Sequence, residues 1–374
     1  MIVGVPAEVK PGENRVALTP DGARELTAHG IRVLVESGAG APSSLHDADF
    51  VAAGAELVDR ETAWSAELVL KVKEPQPDEF AFLRAELVLF TYLHLAAYPA
   101  VADALLSSGT TALGYETVRS SSGGLPLLAP MSEVAGRLAP QVGAHFLERA
   151  PGGRGVLMGG APGVRPARVV VIGAGTVGLN AAWIAQGMEA EVFLLDRDLD
   201  RLRVVDQIHR GRIMTLASNR AVVERSVADA DLVIGAVLVP GGRAPVVISE
   251  DMVRQMKRGS VIVDVAVDQG GCVATTTETT HDKPVIEHFG VLHYGVGNMP
   301  AAVPHTSTYA LTNATIPYAV ALATNGVRRA LELDPGLVQG LAVTGGQVTN
   351  EATASALGRP SVDPFAALGT SAAH

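Results

Sequence analysis

The segment Arg168-Val-Val-Val-Ile-Gly-Ala-Gly-Thr-Val-Gly178 decides how the second half of this chain folds. Its apolar residues predict a buried β-strand, which leads directly into the pattern G-x-G-x-x-G. The residues that follow, 179–187, have the pattern of a helix. Strand, glycine-rich turn and helix in this order are typical of a dinucleotide-binding fold, in which a pyrophosphate sits at the helix N-terminus.

Each glycine of this motif has a steric role. Gly173 allows the tight turn, Gly175 lets the backbone approach a pyrophosphate, and Gly178 lets the helix pack closely on the strand. The next predicted strand ends in Asp196, 18 residues after Gly178, where a carboxylate binds the ribose 2′-hydroxyl. Because a carboxylate there repels a 2′-phosphate, the pattern favours NAD over NADP as the cofactor.

Short apolar runs alternate with helical patterns on both sides of the motif, which predicts parallel sheets covered on both faces. The fold class is therefore α/β, with two doubly wound, Rossmann-like domains and a cleft between them. The predicted strands are Ile2–Pro6, Arg32–Glu36, Leu68–Val72, Leu87–Tyr92 and Thr111–Tyr115, then Arg168–Ile172, Glu191–Asp196, Leu232–Val237, Val261–Val265 and His293–Val296.

The ends of these two series of strands set the predicted domain boundaries. A long helix over Met131–Glu148 opens the second series, and from about Ala301 the chain shows only helical patterns and a frayed end. We expect this tail to return to the first domain without forming a sheet of its own. The prediction is a substrate domain from residues 1–127 plus 301–374, which is discontinuous, and an NAD-binding Rossmann domain from residues 128–300.

Composition argues against several functional classes. A net charge of −10 argues against a general nucleic-acid binder, and one cysteine rules out a disulfide framework or a cysteine-cluster metal site. The most apolar window, 87–106, contains His94, Pro99 and Asp103, so it is unsuited to span a membrane. With no signal peptide recognisable at the N-terminus, we expect a cytoplasmic protein with no membrane partner and no metal.

Ionisable residues follow several predicted strands, at the edge where doubly wound sheets bind their ligands. Arg15 and Lys73 are cations suited to holding a carboxylate, and His94 can exchange a proton with a carbonyl or an amine. Asp268 could act as a base or stabilise a cationic imine, and Asn298 could orient a carbonyl. With NAD, these groups suit hydride transfer at the α-carbon of an amino or hydroxy acid.

Structural interpretations of the same residues stay open at this point. Arginine and lysine in loops are usually solvated, a histidine at a strand end is often structural, and Asp268 could be a turn residue before Gly270-Gly271. Glu116, which follows a predicted strand, has the same ambiguity. We expect Cys272 to be an inert small residue.

Nine stretches of the chain resemble the alanine dehydrogenase family, which also includes the NAD-binding part of proton-translocating transhydrogenase. The family more often has Val where Ala161 stands and Lys where Arg201 stands. The matching stretches are Pro6–Ala17, Leu70–Pro75, Leu89–His94, Pro130–Gly136, Gly159–Val164, Gly173–Gly178, Ile234–Gly241, Asp264–Cys272 and Asn298–Ala301.

The resemblance implies reversible oxidative deamination of L-alanine to pyruvate and ammonium, in a homohexamer. It implies that Arg15 and Lys73 hold pyruvate, that His94 and Asp268 are catalytic, and that Asn298 lies beside the substrate and the nicotinamide. The implied cofactor-binding residues are Ser132, Gly173, Gly175, Thr176, Val177, Gly178, Asp196, Arg201, Ser218, Val237, Leu238, Val265, Asp268, Val296, Asn298 and Met299.

Three alternatives remain at this stage. A soluble transhydrogenase component would bind NAD(H) without amino-acid chemistry, but that branch tends to have Glu where Asp268 stands. A saccharopine-type dehydrogenase would differ in its substrate pocket and matches the stretches around Asp268 and Asn298 less well. A catalytically inactive NAD-binding protein would have no need for polar residues at so many strand ends. The residues favour the amino-acid dehydrogenase.

Overall fold

The structure is a computed structural model that describes residues 1–237 and 244–369. Leu238, one of the predicted cofactor residues, lies outside the described residues. The described strands are β1 (Ile2–Val5), β2 (Arg32–Glu36), β3 (Glu56–Val58), β4 (Leu68–Leu70), β5 (Val88–Thr91), β6 (Thr111–Gly114), β7 (Arg168–Ile172), β8 (Glu191–Asp196), β9 (Ile213–Ala217), β10 (Leu232–Gly235), β11 (Val261–Asp264), β12 (Val285–His288), β13 (Val291–Tyr294), β14 (Leu341–Thr344) and β15 (Gln347–Val348).

Many of the helices begin at a side-chain cap, as the sequence of their first turns dictates. Thr19, for example, accepts a hydrogen bond from the backbone N–H of Gly22 and is followed by a proline at the first helical position. The described helices are α1 (Pro20–Ala28), α2 (Asp47–Ala52), α3 (Arg60–Trp64), α4 (Pro99–Ser108), α5 (Ala129–Leu147), α6 (Thr176–Gly187), α7 (Leu199–His209), α8 (Arg220–Ala228), α9 (Glu250–Arg254), α10 (Pro304–Leu333), α11 (Pro335–Val338), α12 (Glu351–Leu357) and α13 (Pro364–Leu368).

The chain forms two compact units. The first unit consists of Met1–Met131 and the described part of Val303–His374, and the second consists of Ser132–Ala302. Each unit is built on one sheet that is mostly parallel. That these units correspond to a substrate domain and an NAD-binding domain stays a prediction.

The sheet of the first unit has the order β15-β14-β6-β5-β4-β1-β2-β3. The strands β1 to β6 pair in parallel in the spatial order 3-2-1-4-5-6, which is that of a doubly wound fold. The strand order reverses between β1 and β4. The loops that leave the carboxyl ends of these neighbouring strands therefore lie where such sheets bind ligands.

The tail contributes two strands, which corrects the expectation that it adds only helices. β14 pairs antiparallel with β6, and β15 pairs antiparallel with β14 across a turn at Gly345-Gly346. A four-residue strand after a helix is too short to show a period in the sequence. The frayed end was also expected to cover more residues than it does. The helix α13 forms after Asp363, whose side chain accepts the backbone N–H of Ala366.

The sheet of the second unit has the order β12-β13-β11-β10-β7-β8-β9. All its pairs are parallel except the antiparallel pair β12 and β13, and the parallel strands again follow the order 3-2-1-4-5-6 along the chain. β10 and β11 are buried along their whole length. The partly exposed strands β3, β9 and β12 were not predicted, because they lie at sheet edges and lack a continuous apolar run.

Two further observations concern the helices. Inside α10 the backbone leaves the helical region at Gly326. Among the described residues, no helix is long and apolar enough to cross a membrane.

Candidate active site

Charged residues gather in the loops after β1, β4, β5 and β6 of the first unit. Arg15 follows β1, Lys73 follows β4, His94 follows β5 and Glu116 follows β6. Arg15, Lys73 and Glu116 all act electrostatically on the imidazole of His94. The structure therefore brings the three predicted first-unit residues, Arg15, Lys73 and His94, into one cluster at the point where the strand order reverses.

Arg15 is held by a carboxylate that the sequence predictions missed. Its Nε and Nη2 atoms donate to the two oxygens of Glu13, the Nε–Oε1 distance being 2.6 Å. The two side chains are 2% and 0% exposed. Burial favours the neutral carboxyl, but the hydrogen bonds and charge of Arg15 outweigh it and lower the pKa of Glu13 to about 2. The pair stays ionised and fixes the orientation of the guanidinium.

Lys73 differs from the lysines beside it in the sequence and the fold. Lys10 pairs with Glu74, and Lys71 pairs with carboxylates, whereas the half-buried ammonium of Lys73 makes no hydrogen bond or ion pair with any described residue. Burial, together with the charge of Arg15, lowers the pKa of Lys73. A half-buried cation of this kind is suited to an anionic ligand such as a carboxylate.

Lys71 has a structural role. Its position inside an apolar run of the sequence is the signal from which a buried, paired lysine could have been predicted. It is fully buried, and its Nζ lies 3.2 Å from Oε2 of Glu8 and 2.9 Å from Oε1 of Glu79. Glu8 also accepts the backbone N–H of Val72 at 2.6 Å. These contacts tie the loop after β1 to the loop after β4, so that Lys73 lies on a fixed segment.

His94 occupies a constrained position directly after β5. Its backbone is in the left-handed region, with φ of 46°, and its ring stacks on Tyr92 at a centroid distance of 5.6 Å. The Tyr92 hydroxyl donates to the carbonyl of Leu127 at 2.5 Å. Burial lowers the pKa of His94 below its usual value; Glu116 opposes this, while nearby cations add to it. The imidazole is therefore neutral at neutral pH and able to accept a proton.

The glycine-rich turn of the second unit has the geometry that a pyrophosphate requires. Gly173 has φ of 106°, and a Cβ there would lie 2.5 Å from the carbonyl oxygen of Ala236. A Cβ on Gly178 would lie 1.7 Å from the carbonyl oxygen of Gly173. Gly175 is the N-cap of α6 and offers no side-chain cap. Because Gly175 has no side chain to cap them, the first-turn N–H groups of α6 can bind an anion.

Asp196 lies beside this turn. Its Oδ2 accepts the backbone N–H of Ala174 at 2.5 Å, and its Oδ1 accepts that of Asp198 at 2.8 Å. The side chain is 13% exposed, and Nη1 of Arg201 lies 4.0 Å away. The backbone carbonyl of Asp196 accepts the N–H of Ser218 at 2.8 Å. The carboxylate of Asp196 thus fits a ribose hydroxyl as its acceptor, and the backbone N–H groups at the turn fit a pyrophosphate as its donors.

Asp268 and Asn298 both lie in loops of the second unit. Asp268 is exposed in a short 3₁₀ helix, Val267–Gln269, after β11, and Asn298 is half-buried with φ of 55° after β13. The buried carboxylate of Asp264 accepts the backbone N–H of Cys272 at 3.0 Å and of Val273 at 3.1 Å. Asp264, which sequence reasoning missed, thereby closes the loop that carries Asp268.

The predicted cofactor residues among the described positions all lie in the second unit, which begins at Ser132. Val296 and Met299 are buried, and Thr176, Arg201 and Asp268 are exposed. That they line one cofactor site stays a prediction. The half-buried members are Ser132, Gly175, Val177, Asp196, Ser218, Val237, Val265 and Asn298, while Gly173 and Gly178 are buried.

Comparison with known proteins identifies the family. The family model described as alanine dehydrogenase/PNT, N-terminal domain, matches residues 4–135, and the model for the C-terminal domain matches residues 139–351. The chain belongs to the alanine dehydrogenase/PNT family. The family resemblance predicted from the sequence stretches is confirmed.

Members of the alanine dehydrogenase/PNT family match this chain over nearly its full length. The alanine dehydrogenase of Bacillus subtilis (strain 168) is 54% identical over 96% of this chain and 95% of that protein. The alanine dehydrogenase of Mycobacterium tuberculosis (strain ATCC 25618 / H37Rv) is 55% identical over 98% of this chain and 100% of that protein.

Solved structures of the same family confirm the fold class. An L-alanine dehydrogenase has a TM-score of 0.94 at 50% identity and covers 96% of this chain and 99% of its own. The transhydrogenase from Sinorhizobium meliloti has a TM-score of 0.84 at 26% identity and covers 93% of this chain and 100% of its own. The predicted α/β class with two Rossmann-like domains is confirmed.

The buried Arg15–Glu13 pair predicts a pH-dependent stability. Glu13→Gln should lower the free energy of unfolding at pH 7 by about 3 kcal/mol, because the pKa of Glu13 falls from 4.5 to about 2 on folding. Since the folded-state pKa is depressed, this stabilisation is present above pH 4.5 and is lost as the pH falls toward 2. Urea unfolding of both proteins at pH 7 and pH 3 measures the difference.

A matched control for this variant is Glu56→Gln. Glu56 makes the same two-pronged contact with Arg32, but on the surface, where solvent screens the pair. We expect Glu56→Gln to leave the unfolding free energy nearly unchanged at both pH values. Equal effects of the two variants, or a Glu13→Gln effect that does not shrink at pH 3, would contradict the assignment.

Proposed function

We propose that this chain is an NAD-dependent L-alanine dehydrogenase, which interconverts L-alanine and pyruvate plus ammonium by hydride transfer. The observation that carries the proposal is the cluster of Arg15, Lys73 and His94, in which the half-buried ammonium of Lys73 makes no hydrogen bond or ion pair with a described residue. The dinucleotide turn of the second unit supports it. So does the 54–55% identity to alanine dehydrogenases over 96–98% of this chain.

The two cations account for binding of the substrate. Arg15, oriented by Glu13, and Lys73 would hold the carboxylate and carbonyl oxygens of pyruvate, and Asn298 would lie beside the substrate and the nicotinamide. Fixing both ends of so small a molecule limits the orientations in which its α-carbon can react, which is an entropic contribution to the rate.

Two groups would move the protons in the aminating direction. Ammonium gives up a proton, ammonia adds to the carbonyl carbon, and water leaves to form the iminium of pyruvate. Neutral His94 accepts and returns a proton, and Asp268 carries a second one or stabilises the cationic iminium. Bound NADH supplies the hydride that the iminium carbon accepts. The balance is pyruvate, ammonium, NADH and one proton giving L-alanine, NAD⁺ and water.

NAD rather than NADP is the proposed cofactor. Asp196 presents its carboxylate beside the glycine-rich turn, with Oδ2 accepting the N–H of Ala174. A 2′-phosphate at that position would meet this negative charge, whereas a ribose hydroxyl could donate to it. The residues that would hold the pyrophosphate are Gly173, Gly175 and the first turn of α6.

The transhydrogenase alternative is less well supported. The solved transhydrogenase is 26% identical to this chain, against 50% for the solved L-alanine dehydrogenase. Asp268 also stands where that branch tends to have Glu. A saccharopine-type function has no specific observation in its favour. The cytoplasmic location predicted from the sequence stays a prediction.

A homohexamer is part of the proposal and has support from the surface of the second unit. Leu179 and Trp183 on α6 and Val204 and Ile208 on α7 line one apolar groove, and Trp183 is 51% exposed. Exposed apolar surface of this kind is typical of subunit contacts. Sedimentation velocity should give six times the chain mass of 38.7 kDa. A monomer at micromolar concentration would contradict this proposal.

A substrate panel tests the proposed reaction. We expect NADH oxidation with pyruvate plus ammonium, none when ammonium is omitted, and a rate with NADPH lower by at least about tenfold because of Asp196. A mixture of 2-oxoglutarate and lysine should give no turnover. Turnover only in that last mixture would replace the alanine proposal with the saccharopine-type one.

Asp268→Asn separates cofactor binding from chemistry. We expect NADH binding, followed by fluorescence titration, to stay within about twofold, while kcat falls by about 10²-fold or more, since a proton-transfer group is lost. Asp282→Asn, a change of an exposed aspartate elsewhere in the second unit, is the control. An active Asp268→Asn enzyme would remove this residue from the mechanism.

A further inference from the structure

Glu116 makes three hydrogen bonds to the backbone that carries His94. The N–H of Leu93 donates to both carboxylate oxygens at 3.2 Å, and the N–H of His94 donates to Oε1 at 2.7 Å. Glu116 follows β6 in a 3₁₀ helix, Tyr115–Thr117, and His94 follows β5. Because β5 and β6 are adjacent parallel strands, their carboxyl ends bring the two residues together.

The backbone geometry at His94 explains why a carboxylate is needed there. A residue with a Cβ seldom adopts a positive φ, and His94 has φ of 46°. In this turn the N–H groups of residues 93 and 94 point to one place. Two converging N–H groups form a concave site for a negative charge, and the carboxylate of Glu116 fills it.

Glu116 is a negative charge close to the His94 imidazole, on which three positive charges also act. Lys73, Lys10 and Arg15 each disfavour the imidazolium, and Glu116 is the negative group that opposes them. The ring of Tyr92 stacks on the imidazole, and burial raises the pKa of Tyr92 and keeps the phenol neutral. Arg15 and Lys10 are themselves paired with Glu13 and Glu74, and Glu116 is the carboxylate that acts against the cations at the imidazole itself.

We propose that Glu116 is a positioning residue for His94: it holds the left-handed turn that aims the imidazole and supplies the negative charge that lets the imidazole take up a proton. The proposal rests on the proposed function, in which His94 exchanges protons with the substrate. Glu116 itself touches only backbone N–H groups in these contacts, so its role is exerted through His94.

Glu116→Gln tests the charge while it keeps the shape of the side chain. The carboxylate raises the pKa of His94, so its removal should lower that pKa, by about one pH unit. The measurement is the rate of modification of His94 by diethyl pyrocarbonate as a function of pH, followed by mass spectrometry of the His94 peptide. This readout uses the full-length protein and needs no turnover.

The activity of the same variant should change in a matching way. We expect kcat for alanine to fall by about tenfold, the acid limb of the kcat/KM profile to move to lower pH, and the KM for NAD to stay unchanged. The control is Glu67→Gln, which also removes a carboxylate that accepts a backbone N–H, that of Ile2 at 2.6 Å. Glu67 is exposed and lies just before β4, away from the cluster, so no shift is expected.

Glu116→Asp is a second variant that keeps the charge on a shorter side chain. It should leave the pKa of His94 near that of the wild type and still lower kcat, because the shorter side chain cannot hold both N–H groups in the same geometry. If Glu116→Gln fails to fold, this variant decides: wild-type kcat in Glu116→Asp would overturn the positioning role.

The outcomes distinguish the two proposals. An unchanged His94 titration together with unchanged kcat in Glu116→Gln would overturn the role of Glu116, whatever the wild type catalyses. A wild type that does not turn over alanine would overturn the proposed function, while a lowered pKa of His94 in Glu116→Gln would still support the contact between Glu116 and His94.

Discussion

Placing charge at the buried carboxyl end of a parallel sheet costs free energy unless each charge has a partner, and this constraint organises the first unit. Lys71 is buried between Glu8 and Glu79, and Arg15 is buried against Glu13. The Lys71–Glu8 pair joins the loops after β1 and β4, where the strand order reverses. The ammonium of Lys73 makes no hydrogen bond or ion pair with a described residue, and in the proposed function it takes the carboxylate of the substrate.

The glycine-rich turn of the second unit, residues 173–178, carries no charged side chain. The contacts that a Cβ would make at Gly173 and Gly178 show how closely β7, β10 and α6 approach there. The backbone N–H groups at the start of α6 carry partial positive charge, and the carboxylate of Asp196 beside the turn is negative. Both units thus share the strand order 3-2-1-4-5-6. The loops of the first unit carry side-chain charges, and the glycine-rich turn of the second presents backbone dipoles.

Much of this could be predicted from the sequence because the signals are local. The G-x-G-x-x-G turn and Asp196 follow from spacing, and Arg15, Lys73 and His94 follow from their place after apolar runs. The contact of Glu116 with the backbone of Leu93 and His94 could not be predicted, because it depends on which loops become neighbours. The contacts of Glu13 and Asp264 lie within one loop each, but sequence spacing does not show which way a side chain turns. β14 was missed because four residues become a strand only when β6 offers an edge to pair with.

In the proposed reaction, the hydride of NADH goes directly to the α-carbon of the iminium of pyruvate. The most direct measurement uses NADH that carries deuterium at both C4 positions of the nicotinamide, incubated with pyruvate, ammonium and the protein. We expect L-alanine with one deuterium on its α-carbon, detected by mass spectrometry and proton NMR. Alanine without deuterium, or oxidation of NADH that forms no alanine, would rule out this hydride transfer.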